Sequence, residues 1–281
     1  MIINCIFFKF LRKIMIKELT DCAIKSALKA GNLLKKGFGT SFEISSKEGK
    51  NNLVTEYDKL SEKTIIDQIH SVFPKHVFLA EESGKTGTLS KNIVRWIIDP
   101  LDGTVNFAHG LPIFSISIAA ELNGEILSGV VYNPMLEELF VAKKGEGAFL
   151  NDKKIVVSDN DNLDSSFLVT GFPYNISQNP CGCIDHFVKI IKQGIPVRRL
   201  GSAALDLAYV AAGRFDGFWE INLHPWDVAA GILLVKESGG KVTQYNEKPY
   251  WIDNDTILAT NGKIHTEIAS VLSRCHCDSR Y

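Results

Sequence analysis

The stretch WIIDPLDGTVNF, from Trp96 to Phe107, ends an apolar run on Asp99, turns at Pro100 and at once sets Asp102, Gly103 and Thr104. Carboxylates drawn together out of water lose hydration and repel, so something must offset that cost. Three further acidic sites stand at or beside the ends of apolar segments: Asp58, the pair Glu81-Glu82, and Asp227. One such carboxylate alone is ordinarily a helix cap or a turn residue. Taken together, they point to one acidic cleft, provided the strands ending at Glu81 and Asp99 lie side by side. The motifs AEES, DPLDGT and PWDV contain no lysine or arginine. The balancing charge must come from cations, and hard oxygen ligands select magnesium, manganese or calcium over zinc or copper. Asp99 and Asp102 would each hold one ion, with Asp99 bridging and the Leu101 carbonyl adding an oxygen.

Gly103 and Thr104 extend the same chemistry. A glycine followed by a short helical turn leaves backbone N–H groups pointing outward, and these suit phosphate oxygens. A phosphate held between such donors and two magnesium ions is placed for in-line attack by a water that the metal activates. The Thr104 hydroxyl, close to a carboxylate, would orient that water and help pass its proton away. The residues therefore point to metal-assisted hydrolysis of a phosphate ester.

The elements that must position these groups can be read from apolar periodicity. Leu19, Ala23, Ala27, Ala30 and Leu34 recur at helical spacing from Ile16, and Gly37 and Gly39 end that helix. SFEISS reads as a strand running towards Lys47. A second helix follows through Ile65, Ile69 and Phe73 and stops before Pro74. HVFLAEES, IVRWIID, FSISIAAEL, ILSGVVYNP and ELFVAKKG read as strands, with a hairpin turn at Asn123-Gly124. GEGAFLNDKKIVVS continues the sheet. Strands and helices then alternate to the last helix, KIHTEIASVLSR. Such faces are buried only by stacking, so the chain is expected to be α/β (α+β), a multilayer sandwich. The expected division is an N-terminal extension over 1–14, a metal-binding α+β half over 15–155, and an α/β half over 156–281 that completes the site.

Composition narrows the class further. A formal net charge of −1 gives no global field that would draw nucleic acid or an anionic membrane. Six cysteines are too few to staple 281 residues, which favours a reduced, cytoplasmic setting. Cys181-Gly-Cys183 and Cys275-His-Cys277 invite a zinc reading with His186 or His276, but zinc ligand pairs are spaced by two or more residues. They are read as thiols of a loop and a tail. The opening MIINCIFFKFLRKI is too short to span a bilayer and has no basic region ahead of its apolar part, as a secretory signal would. Met15, which opens the clean amphipathic pattern, suggests a start assigned too early.

The segments NNLVTEYD, AEES, WIIDPLDGTVNFAHGLP, LGSAALDLAYVAAGRFDGFWE and HPWDVAAG closely resemble the inositol monophosphatase family in order and spacing. That resemblance implies a layered α-β-α-β-α sandwich and a Mg²⁺-dependent, lithium-sensitive phosphomonoesterase that works as a homodimer. By the same resemblance Glu81, Asp99 and the Leu101 carbonyl hold the ion that activates water. Asp99, Asp102 and Asp227 hold a second, which stabilises the leaving oxygen. Asp58 pairs with Thr104 and, with Glu81, reaches a third, weaker magnesium. Gly103 and Thr104 N–H groups take the phosphate, Glu82 and Lys47 support the ligands, and Ser202, Ala203 and Glu220 meet the substrate. His109 and His224 are read as loop imidazoles, and Trp96 and Trp226 as packing. Val105 stands where many members have a second threonine.

Inositol 1-phosphate is the favoured substrate. Fructose 1,6-bisphosphate, histidinol phosphate and 3′-phosphonucleotides are the alternatives, since family members share the metal half of the site. A bisphosphate would need extra cations, for which Arg198 and Arg199 are the candidates. Some bacterial relatives of this kind serve as accessory proteins in transcription or ribosome assembly, and such a role would add to catalysis. No stable nucleic-acid complex and no membrane partner is expected.

Overall fold

A computed structural model describes residues 2–46 and 53–273, so Lys47, Cys275, His276 and Cys277 lie outside the described residues. The chain opens with α1 (Ile2–Gly37), which begins earlier than the expected start at Ile16 because nothing before Met15 breaks a helix. Its buried face, from Leu19 to Leu34, is the one the periodicity picked out. A short hairpin of β1 (Ile44–Ser46) and β2 (Leu53–Thr55) leads into α2 (Glu56–Val72). The strand read over SFEISS is thus only three residues long. LVT, Leu53–Thr55, is its antiparallel partner.

An eight-stranded sheet follows. It contains β3 (Val77–Ala80), β4 (Gly84–Thr86) and β5 (Val94–Asp102), then, after α3 (Thr104–Ala108), β6 (Ser115–Leu122) and β7 (Glu125–Asn133). It closes with β8 (Glu138–Lys143), β9 (Gly147–Leu150) and β10 (Lys153–Ile155). The Asn123-Gly124 turn has both residues at positive φ, 53° and 84°, as a two-residue hairpin between twisted strands demands. β5 is buried on both faces, and its side chains alternate between two cores. Trp96 and Ile98 pack towards α1 and α2, whereas Ile97 packs towards the helices of the other layer.

Beyond residue 155 the order changes to β11 (Leu168–Thr170), α4 (Cys183–Ile191), β12 (Val197–Arg198), α5 (Ala203–Ala211), β13 (Gly217–Ile221) and α6 (Pro225–Glu237). β14 (Lys241–Thr243), β15 (Thr256–Thr260) and α7 (His265–Leu272) complete the chain. A second sheet has the order β12-β11-β13-β15-β14. The layers are therefore α1/α2, the eight-stranded sheet, α5/α6, the five-stranded sheet, and α4/α7, the α-β-α-β-α sandwich expected. α5 is buried along its whole length, which is why its sequence is alanine-rich and apolar all round.

The middle layer sits close to the strands beneath it. A Cβ on Gly129 of β7 would lie 2.8 Å from the Ala230 carbonyl oxygen of α6, so only glycine lets the helix backbone approach. Gly129→Val is expected to destabilise the fold by about 3 kcal/mol through overpacking. Urea unfolding checks this, and an unchanged midpoint would mean that β7 and α6 are not in such contact.

Candidate active site

β3 and β5 run parallel, with Ala80 opposite Ile98, and the Glu81 N–H donates to the Ile98 carbonyl at 3.1 Å. Glu81 and Asp99 therefore leave adjacent strand ends, as the acidic cleft requires. β5 then bulges between Asp99 and Asp102, where Pro100 has no N–H to give the ladder. The bulge is held from both sides. The Leu101 N–H donates to Asp99 Oδ1 at 3.0 Å, and the Ser61 hydroxyl of α2 donates to the Pro100 carbonyl at 2.7 Å.

Each remaining acid is fixed by a helix start. Asp58 is fully buried in the first turn of α2, and its Oδ2 accepts from the Thr55 N–H at 2.7 Å and the Thr55 hydroxyl at 2.6 Å. Its Oδ1 accepts from the Thr104 hydroxyl at 2.8 Å, the pairing that the family resemblance implies. Asp102 Oδ2 accepts from the Ser202 hydroxyl at 2.6 Å and the Ala204 N–H at 2.8 Å, both at the start of α5. Asp227 Oδ2 accepts from the His224 N–H at 2.7 Å, closing a capping box on α6. One oxygen of Asp99, Asp102 and Asp227 is thus anchored by its own scaffold.

Gly103 has φ of 98°, and a Cβ there would lie 3.0 Å from the Ile113 carbonyl, so glycine is required for both reasons. It opens α3, whose first backbone bond runs from the Phe107 N–H to the Gly103 carbonyl. The N–H groups of Gly103 and Thr104 precede that bond. Asn106 staples the turn to the second half by donating to the Ile113 and Leu200 carbonyls at 2.7 and 2.8 Å.

These groups line one cleft of about 840 Å³, except Asp58, which is buried behind Thr104. Glu81, Asp99, Leu101, Asp102, Gly103, Thr104, Ser202, Ala203, Glu220 and Asp227 all face it. Ser202 is almost wholly buried, and its hydroxyl hydrogen goes to Asp102. Glu82 lines a separate surface depression, and its N–H donates to Glu62 at 2.8 Å. The His224 ring stacks on Trp226 at 4.8 Å, while Trp96 is buried and donates from its indole to His76 at 3.0 Å. Sequence reasoning missed Asp206, a carboxyl in the first turn of α5 that also lines the cleft. The signal in the sequence was weak, because an aspartate in the first turn of a helix ordinarily faces solvent and meets the helix N-terminus.

The electrostatics match this crowding. Burial first, then Glu81, Asp102 and Asp227, push Asp99 well above the usual carboxylate range. Burial and Asp227 push Asp102 up to about 7. Asp58 is raised by burial, against the pull of its Thr55 and Thr104 hydrogen bonds. Among the described residues no three side chains already converge as ligands of one ion. The donor set itself, four carboxylates and a carbonyl with no lysine among the described lining residues, fits a hard divalent cation.

The sequence pattern of the inositol monophosphatase family matches residues 15–276. The chain belongs to that family. Inositol monophosphatase relatives include the Nus factor SuhB of Escherichia coli, 44% identical over 87% of this chain and 91% of its own. The inositol-1-monophosphatase of Synechocystis sp. is 43% identical over 90% of this chain and 88% of its own. Among solved structures, the extragenic suppressor protein suhB of Bartonella henselae superposes with a TM-score of 0.85 at 40% identity, covering 90% of this chain and 98% of the other. The inositol monophosphatase of Anabaena has a TM-score of 0.81 at 41% identity, covering 94% and 99%.

Raised carboxyls make the metal-free protein's stability depend on pH. Asp102 titrates near 7 when folded against 3.8 for the ordinary side chain, so the folded state holds the extra proton between those values. Its contribution is full below about pH 4 and is lost as pH rises through about 7, a change on the order of 4 kcal/mol in all, about half of it between pH 5.5 and 7.5. In EDTA, raising the pH from 5.5 to 7.5 should therefore lower Tm in the wild type more than in Asp102→Asn, and Mg²⁺ should restore Tm most at the higher pH (scanning calorimetry). Equal pH slopes for the two proteins would contradict the assignment.

Proposed function

We propose that the cleft is the active site of a Mg²⁺-dependent phosphomonoester hydrolase of small polyol phosphates, inositol 1-phosphate foremost. The carrying observation is the acid cluster of buried Asp99 and Asp102 with half-buried Glu81 and Asp227, beside the Thr104–Asp58 hydrogen bond. Divalent cations, when bound, supply the positive charge that activates water and stabilises the leaving oxygen. Glu81, Asp99 and the Leu101 carbonyl would hold one ion, Asp99, Asp102 and Asp227 a second, and Asp58 with Glu81 a third.

The chain's own groups do the rest. Gly103 and Thr104 N–H groups bind phosphate oxygens. Asp58 takes the Thr104 hydrogen, which turns the hydroxyl's lone pairs to the cleft to orient the attacking water, and Thr104–Asp58 then passes on the proton the water sheds. Glu82 supports this side through its charge, which acts on Asp58. Ser202, Ala203 and Glu220 face the leaving polyol, whose hydroxyls a buried carboxyl can read. Family membership further supports a lithium-sensitive cytoplasmic homodimer, and no helix of the described residues is long and apolar enough to cross a membrane.

The name of the Escherichia coli relative, a Nus factor, favours a second role as an accessory protein in transcription. The complete acid set argues that this role accompanies catalysis. It predicts association with RNA polymerase that survives Asp99→Asn.

Asp99→Asn should retain the fold and lower kcat by at least about a thousandfold. Thr104→Ala should lower kcat by roughly a hundredfold or more with KM little changed. Steady-state assays with Mg²⁺ on inositol 1-phosphate, fructose 1,6-bisphosphate, histidinol phosphate and a 3′-phosphonucleotide test both. Near-wild-type turnover by Asp99→Asn would remove the metal assignment, and fructose 1,6-bisphosphate turned over well above inositol 1-phosphate would overturn the substrate.

A further inference from the structure

The wall of the cleft built by α5 and β13 carries a second pair of acids. Asp206 is 1% exposed, lines the cleft, and its Oδ1 has no hydrogen-bond partner. An unsatisfied buried oxygen is costly to keep, so one held at a cleft wall calls for a ligand that completes it. Glu220 stands on the neighbouring strand of the same wall, 8% exposed. Gly171 makes room for it, since a Cβ there would lie 2.1 Å from Glu220 Oε2. Burial followed by Glu220 raises the proton affinity of Asp206, while burial followed by Asp227 raises that of Glu220.

Arg199 is the cation that acts on both acids and lines the cleft. Arg198, the other candidate for a second phosphate, lies over the Phe167 ring at 4.9 Å and does not line the cleft. Two buried acids therefore face one guanidinium. That balance suits the hydroxyl donors of a neutral leaving group. It opposes a second phosphate, which brings two negative charges and no donor.

We infer that Asp206 is a specificity-determining residue which, with Glu220, reads hydroxyl donors on the leaving group and turns away a substrate bearing a second phosphate. This rests on the phosphomonoesterase reading given above. Asp206→Asn keeps the shape of the side chain but replaces an acid with an amide, whose NH₂ can donate to phosphate oxygen. Damage to the fold lowers kcat/KM for every substrate alike. A specificity role changes the ratio between substrates.

The test measures kcat and KM of the full-length protein with Mg²⁺ for inositol 1-phosphate and fructose 1,6-bisphosphate. The wild type should favour the monophosphate by at least about tenfold in kcat/KM, and Asp206→Asn should reduce that ratio by about fivefold or more, through KM. Asp206→Ala, which removes the acid without adding an amide, should move the ratio in the same direction by less. An unchanged ratio in whichever variant folds, or parity between the two substrates in the wild type, overturns the proposal. Wild-type hydrolysis of p-nitrophenyl phosphate separates the two readings. If it is present, an unchanged ratio sinks the Asp206 assignment alone; if it is absent along with all other turnover, the phosphatase reading falls and takes this one with it.

Discussion

Mutual repulsion among buried carboxylates is the constraint on which the rest of this structure depends. Two unit charges about 5 Å apart repel by about 3 kcal/mol at an effective dielectric near 20. A domain's whole stability is typically about 5–15 kcal/mol, so several such pairs cannot be left uncompensated. Glu81, Asp102 and Asp227 all act on Asp99, and Asp227 and Glu81 act on Asp102, with β5 bringing two of these acids, the end of β3 one and the first turn of α6 the fourth. In the function proposed here, a bound divalent cation supplies the compensating charge.

The scaffold meets this constraint with anchored acids. A bulge in β5 sets Asp99 and Asp102 on one short turn, and the starts of α2, α5 and α6 clamp Asp58, Asp102 and Asp227 through backbone N–H groups or hydroxyls. Helix N-termini favour negative charge, so the same positions that cap a helix also steady an acid. Orientation of this kind by surrounding donors is what tunes metal ligands. The second half of the chain is indispensable here because α5 supplies the donors for Asp102, and Asn106 ties the turn to Leu200.

Much of this was legible in the sequence. β5 announced itself as an apolar run, the Asn123-Gly124 turn by its residue types, and the acid cluster by carboxylates placed at element ends. The layered fold followed from the alternation of strands and helices together with the family resemblance. What escaped has physical reasons. β4, β12 and β14 are two or three residues long, too short for periodicity to register. The start of α1 was hidden because a pattern can show where amphipathicity begins but not where helix-compatible residues begin. Asp206 escaped because an aspartate in an alanine-rich helix resembles a solvent-facing position until both flanking sheets are seen. The hydrogen bond from Ser202 to Asp102 joins residues a hundred positions apart, and spacing cannot reveal it.

The central claim is that divalent cations sit among these acids. Crystals soaked in Mn²⁺ and measured at the manganese edge test it most directly. The account predicts two strong anomalous peaks between the Asp99 turn and Asp227, about 3.5–4 Å apart, with Asp99 touching both. Clear density for the Asp99, Asp102 and Asp227 side chains with no anomalous peak among them would contradict it.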